Sequence, residues 1–405
     1  MLFNIRAICV ALTAIFASLS FVKAFPIEKR ASTFIAPAPR WVVYSDDWLT
    51  PPASSTLAGI NVFILSFYTH SGAQDQAQNW EEMAATQRAS ILADYHANGI
   101  SLMVSAFGST DSPTTSGVDP NAFAVTLANW VKQYGLDGVD VDYEDFTAIN
   151  SGTGSAETWL ITFTKALRAQ LPAGQYILTH APVAPWFTSS TSLYPHGAYR
   201  AVDTGAGSSI DWYNLQFYNQ GSDYTTCTTL LTTSNSDFPG SSIFEINAFG
   251  VPLSKLVIGK PATTADATTG YMDLGTLAGC LGQAKAKGWN AGAMFWQYPH
   301  ITSAMMQSVR AQSFPYGGGS APPPTTTTSS TTTTKSTTTT SSTKSSTPTS
   351  PAGGKCSGIA AWQSGVAYTG GSEVTYNGHL WTAKWWSESD APGGAAGDWT
   401  DDGSC

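Results

Sequence analysis

From Ala321 to about Gly354 the chain is almost entirely Thr, Ser and Pro, with Lys335 and Lys344 as its only charges. Such a stretch offers almost nothing apolar to bury and cannot join a core. It therefore divides the chain into a large piece over 31–316, a linker over 317–354 and a small terminal piece over 355–405. The linker hydroxyls are candidates for O-glycosylation, and a largely extended tether of this kind would span on the order of 100 Å at about 3.1 Å per residue.

In the large piece, short apolar runs alternate with helical stretches, the pattern of βα units around a parallel sheet. Eight strands are predicted: Trp41–Ser45, Ile60–Tyr68, Ser101–Phe107, Gly138–Tyr143, Tyr176–Ala181, Trp212–Phe217, Leu256–Gly259 and Gly292–Trp296. Helices are predicted over Glu81–Ala97, Asn121–Tyr134 and Ala156–Gln170, and Gly99, Gly135 and Gly288 stand where helices should stop. Eight such repeats fit a (β/α)8 TIM barrel in the α/β class. An open doubly wound sheet is less apt, since no GxGxxG follows the first strand.

Arg6, the apolar run Ala7–Val22 and the small residues of Val22-Lys23-Ala24 read as a signal peptide over 1–24. The run is short for a bilayer span, which needs about 20 apolar residues. Residues 25–30 end in a dibasic pair and read as a propeptide. A secreted protein, extracellular or in a cell wall, is expected. Once Cys9 has left, Cys227, Cys280, Cys356 and Cys405 form an even set suited to an oxidising compartment. Pairing within each piece joins Cys227 to Cys280 and Cys356 to Cys405, although four cysteines formally allow other pairings.

A net charge of −9 and a charged content of 12% leave no basic footprint for nucleic acid or an anionic membrane. A neutral polymer fits better, and a monomer is expected. The six histidines are scattered and neither HExxH nor CxxC occurs, so neither a metal nor another cofactor is expected.

The strongest local signal is Asp137-Gly138-Val139-Asp140-Val141-Asp142-Tyr143-Glu144. Side chains alternate along a strand, so Asp140, Asp142 and Glu144 share one face and Val139, Val141 and Tyr143 the other. The apolar face suits packing on helices. The acidic face then points into the barrel and towards its C-terminal mouth, where barrel enzymes place their chemistry. Calcium would draw oxygen ligands from a loop rather than from alternate positions of one strand. Crowded like charges instead hold a proton on at least one carboxyl near neutrality, as a general acid requires.

This octapeptide resembles the DxxDxDxE motif of glycoside hydrolase family 18. Ala181-Pro182 after the fifth strand, Gln216-Phe217-Tyr218-Asn219 at the sixth and Trp296 at the eighth are similar to that family's other landmarks. Their wording looks most like plant-type class III chitinases and related endo-β-N-acetylglucosaminidases. The third strand departs from the family's Ser-x-Gly-Gly, ending Ser105-Ala106-Phe107-Gly108-Ser109. The resemblance implies a retaining, substrate-assisted hydrolase of β-1,4-linked N-acetylglucosamine, acting on chitin and chitooligosaccharides. Glu144 would be the acid, Asp142 the partner of the substrate's N-acetyl nucleophile, Asp140 a neighbour sharing a proton or hydrogen bond with Asp142, and Tyr218 the donor to the acetamido oxygen. Trp296 would floor the site, with Gln216, Asn219, Tyr44 and Phe67 as further substrate contacts and Asp137 structural. The short interval Lys260–Ala291 has no room for the subdomain that walls a deep cleft in processive members, so an open groove and endo cleavage are expected. Two rival readings are an endo-β-N-acetylglucosaminidase acting on N-glycan cores and a non-catalytic chitin-binding lectin, the latter opposed by the presence of Glu144.

In the terminal piece, Trp362, Tyr368, Tyr376 and Leu380-Trp381-x-Ala383-Lys384-Trp385-Trp386 resemble the small chitin-binding modules of carbohydrate-binding family 5. A small all-β module closed by a disulfide is expected. The resemblance implies a stacking strip of Tyr368, Trp385 and Trp386, with Trp362, Tyr376 and Trp381 towards the core.

Overall fold

The computed structural model describes residues 33–318, 355–364, 368, 372–383, 391–394 and 399–405. The expected signal peptide, the expected propeptide and residues 319–354 of the expected linker lie outside these residues, as do Trp385 and Trp386.

The eight expected strands are all present, as β1 (Arg40–Ser45), β2 (Val62–Thr69), β4 (Ser101–Phe107), β5 (Gly138–Asp142), β6 (Ile177–His180), β7 (Trp212–Gln216), β8 (Leu256–Pro261) and β9 (Gly292–Tyr298). Each pairs in parallel with its neighbour, and β1 pairs with both β2 and β9, which closes the barrel. A short β3 (Gly72–Ala73) adds antiparallel to β2. The helices are α1 (Asp75–Glu82), α2 (Ala85–Ala97), α3 (Pro120–Tyr134), α4 (Phe146–Asn150), α5 (Ser155–Gln170), α6 (Ala198–Ala206), α7 (Cys227–Leu231), α8 (Ile243–Phe249), α9 (Leu274–Ala286) and α10 (Ser303–Arg310).

Local chemistry sets these boundaries. Asp119 caps α3 by accepting from Ala122 N at 2.8 Å, Pro120 opens the helix, and Gly135 closes it in the left-handed region at φ 76°. The single helix expected over 81–97 is two, because Met83 and Ala84 are extended. The Arg88 guanidinium donates to the carbonyls of Trp80, Glu81 and Met83 and so satisfies the frayed end of α1, while Trp80 is wholly buried.

Val139, Val141 and Tyr143 face the helical layer, where Tyr143 meets Trp159 of α5 with ring centroids 6.0 Å apart. At the start of β5 the buried Asp137 accepts from Phe34 N, Leu102 N and His96 Nε2, a structural tie. Cys227 and Cys280 form a disulfide between α7 and α9.

In the terminal module β10 (Glu373–Tyr376), β11 (His379–Ala383) and β12 (Trp399–Ser404) make an antiparallel sheet over a core of Val374, Ala383 and Trp399. The Cys356–Cys405 disulfide spans 49 positions, and a loop of that size is worth about 4 kcal/mol on the chain-entropy account. Trp362 and Trp381 pack against the core as expected, and so does Tyr368. Tyr368, expected on the stacking strip, is half-buried: its ring lies edge-on to Trp399 at 5.2 Å and its hydroxyl accepts from Gln363 N at 2.7 Å.

Candidate active site

The carboxylate strand ends at a groove of about 490 Å³ at the C-terminal mouth of the barrel. Asp142, Glu144, Gln216, Tyr218, Asn219, Phe67 and Trp296 all line it. Phe67 and Trp296 stack with centroids 5.9 Å apart and planes at 22°, forming an apolar wall.

Asp140 lies beneath the groove, fully buried. Its Oδ2 accepts from Tyr44 Oη at 2.7 Å and Ser105 Oγ at 2.9 Å, and its Oδ1 from Thr179 Oγ1 at 2.6 Å and Asn214 Nδ2 at 3.0 Å. A carboxylate is acceptor-only, so four donors match the charged form. Burial raises the Asp140 pKa and these hydrogen bonds oppose it. A direct bond to Asp142, expected from the resemblance, is not among the four. Tyr44 is 2% exposed and does not line the groove; its hydroxyl donates to Asp140 and accepts from Asn214 Nδ2 at 3.1 Å. Tyr44 thus meets Asp140 beneath the groove rather than forming its wall.

Above this layer the Gln216 amide nitrogen donates to Asp142 Oδ1 at 2.8 Å and to the Ala181 carbonyl at 2.8 Å. Glu144 Oε1 stands 3.4 Å from the same nitrogen, which has only two hydrogens, so its bond is the weakest. Burial is the largest cause of a pKa well above the usual carboxylate range at Asp142, followed by the charges of Glu144, Asp140 and Asp46. Burial also raises Glu144, against the Gln216 bond. The pair thereby holds a proton that isolated carboxyls would have lost. Tyr218 is pushed far above 10 by burial and then by Asp142, Glu144, Asp140 and Asp266, so it remains an O–H donor.

Asp145 caps α4 through Ala148 N at 3.0 Å and accepts from Thr115 N and Oγ1 at 2.7 and 2.6 Å, tying Glu144 to the loop after β4. The departure at the third barrel strand has a local explanation. Phe107 adopts φ 80°, a region costing a non-glycine residue about 1–3 kcal/mol, while its ring is buried against Phe123, Tyr143, Trp159 and Phe163. Gly108 follows at φ 75°, where a Cβ would meet the Phe67 ring at 2.9 Å.

Sequence reasoning missed Ser105, Thr179 and Asn214, the donors to Asp140. Each is a polar residue within a predicted strand, and that was the available signal. It also missed the other acids of the groove, Asp46, Asp75 and Asp266. Burial, then Asp75 and Asp47, raise Asp46 to about 7. The groove residues include five carboxyl groups and no Lys, Arg or His.

Comparison with known proteins agrees with this geometry. The profile of Glycosyl hydrolases family 18 matches residues 40–364, and that of Carbohydrate-binding module family 5/12 matches residues 361–400. Endochitinase 37 of Trichoderma harzianum is 29% identical over 215 residues, 48% of this chain and 62% of that protein, so the match spans less than two thirds of the relative. Among solved structures, a GH18 chitinase from Pseudoalteromonas aurantia is similar at 25% identity with a TM-score of 0.54, covering 67% of this chain and 98% of that one. A fungal endo-beta-N-acetylglucosaminidase of the same family shares the fold at 18% identity and a TM-score of 0.51, over 68% of this chain and 98% of the other.

Proposed function

Because the chain belongs to glycosyl hydrolase family 18, we propose that it is a secreted chitinase that cuts within chitin chains by a retaining, substrate-assisted mechanism. The observation that carries this reading is the alternation Asp140, Asp142, Glu144 ending at the groove, with Tyr218 kept as a donor beside it.

Glu144, protonated, gives its proton to the glycosidic oxygen as the bond to the anomeric carbon breaks. The acetamido oxygen of the same sugar attacks that carbon from the opposite face. Asp142 accepts from the acetamido N–H and offsets the positive charge growing on the ring so formed, while Tyr218 Oη donates to the acetamido oxygen and orients it. Glu144, now a carboxylate, takes a proton from water as the water opens the ring, and the acid is restored. Two inversions leave the β configuration. Phe67 and Trp296 offer apolar surface to the C–H face of the sugar.

The segment between β8 and β9 holds only α9 and its connecting loops among the described residues, which supports an open groove and endo cleavage. The match to a carbohydrate-binding module supports chitin as the polymer, and the leader-like Ala7–Val22 run supports secretion. The test offers chitin oligomers and a high-mannose glycoprotein side by side, with fresh products examined by NMR. Cleavage of the oligomers to initial β-anomers is expected. Release of N-glycans alone would replace chitin by N-glycan cores as the substrate, and an initial α-anomer would overturn the mechanism.

A further inference from the structure

Lys260, the fifth residue of β8, is a wholly buried lysine that takes no part in the chemistry above and does not line the groove. Its Nζ donates to three backbone carbonyls, Phe217 O at 2.7 Å, Tyr224 O at 2.8 Å and Gly270 O at 3.0 Å. An ammonium has three N–H donors and each has an acceptor. Burial lowers the pKa to about 7, and the three carbonyls oppose that loss by favouring the charged form.

The acceptors lie on two separate loops. Phe217 and Tyr224 bracket the segment after β7 that carries Tyr218 and Asn219, and Gly270 belongs to the segment after β8. These loops touch directly: Asn219 N donates to Thr269 O at 3.0 Å, and Asn219 Oδ1 accepts from Thr268 N and Oγ1 at 2.9 Å each. Gly270, at φ 93°, presses so close that a Cβ there would stand 2.5 Å from Tyr218 Cα. The backbone of Tyr218 is thus seated on the second loop, and the lysine fastens the two together from below.

We propose that Lys260 is a positioning residue for Tyr218, locking the loops after β7 and β8 so that the tyrosine hydroxyl is held at the acetamido group of the sugar being cleaved. The proposal rests on the substrate reading given above for the groove. Its mark is an effect on turnover that passes through Tyr218 and disappears when that hydroxyl is absent.

Lys260→Met keeps the length of the side chain and removes all three donors. On chitin oligomers kcat should fall about 10-fold or more with KM changed by less than about 3-fold, the split expected for lost orientation rather than lost binding. In a Tyr218→Phe background the same substitution should add less than about 2-fold, because the two act as one unit. Gly270→Ala, which pushes on Tyr218 directly and strains the peptide whose carbonyl the lysine holds, should show the same split and the same non-additivity. Amide hydrogen exchange gives a readout that needs no substrate: residues 217–224 and 262–272 should exchange faster in Lys260→Met while β4 and β5 stay protected. Undiminished loss in the Tyr218→Phe background, or exchange rising evenly across the barrel, would overturn the proposal. If the unaltered protein cut no oligomer, the substrate reading would fall, and the exchange pattern would decide the role of Lys260.

Discussion

Asp140→Asn tests the layer beneath the groove. The variant keeps the shape of the side chain but has one oxygen where the acid has two. The amide nitrogen of Asn214 cannot accept a hydrogen bond, so the remaining oxygen must keep the place of Oδ1, facing Thr179 and Asn214. The new NH2 then faces Tyr44 and Ser105. Ser105 can turn and accept. Tyr44 Oη already accepts from Asn214 Nδ2, so its own proton loses its partner in a fully buried place. An orphaned buried donor costs about 1–3 kcal/mol, and the remaining bonds lose their charge assistance, while relief from burying a charge works the other way. A net destabilisation of about 2 kcal/mol is expected, read from the urea midpoint at pH 7 followed by tryptophan fluorescence. The acidic limb of the pH–rate profile should also move to lower pH, because the Asp140 charge is one cause of the raised pKa of Asp142. Unchanged or increased stability would refute the reasoning, since it would mean that the wild-type group is buried as a neutral acid.

Glu144→Gln removes the transferable proton and should lower kcat on chitin oligomers by about 100-fold or more with little change in stability, and near-normal turnover would sink its assignment as the acid. His180, wholly buried between Thr164 and Tyr199, is lowered to about 3 by burial and then by Arg168. Its neutral form is the folded one, so its stabilisation is complete above about 6.5 and is lost as pH falls towards 3, at about 1.4 kcal/mol per pH unit. Between pH 6.5 and 5 the wild type should lose about 2 kcal/mol more than His180→Gln, and parallel unfolding curves would contradict this. Removing residues 320–405 should leave oligomer cleavage unchanged while weakening adsorption to chitin beads, through loss of local concentration at the surface. Equal adsorption would deprive the module of its assigned function.

The barrel was legible because its strands are short apolar runs at regular spacing, and period 2 along Val139–Glu144 separates acids from core in a single octapeptide. The break between α1 and α2 was not, since it depends on Arg88 reaching back to carbonyls of the preceding helix. At the site, alternation could say which face the carboxyls share but not who meets them. Asp140 takes its four bonds from residues 96, 35, 39 and 74 positions away, and no local pattern carries that information. Tyr44 was drawn to the groove by its place near a strand end, yet its hydroxyl is committed below it. Lys260 escaped notice because a lone lysine at the end of an apolar strand reads as solvent-facing.

Those four partners stand on β1, β4, β6 and β7, with Asp140 itself on β5. The polar hub can therefore assemble only after the first strand has met strands from the middle of the barrel sequence, and contacts of such long sequence separation form slowly. On refolding from urea, recovery of turnover should lag behind recovery of helical signal. A chain still missing its first strand would hold every acid of the octapeptide and yet leave Asp140 without its tyrosine. The hub thus reports on the docking of β1 with β4 to β7, and Asp140 has all four of its donors only once the first strand has joined the middle of the barrel.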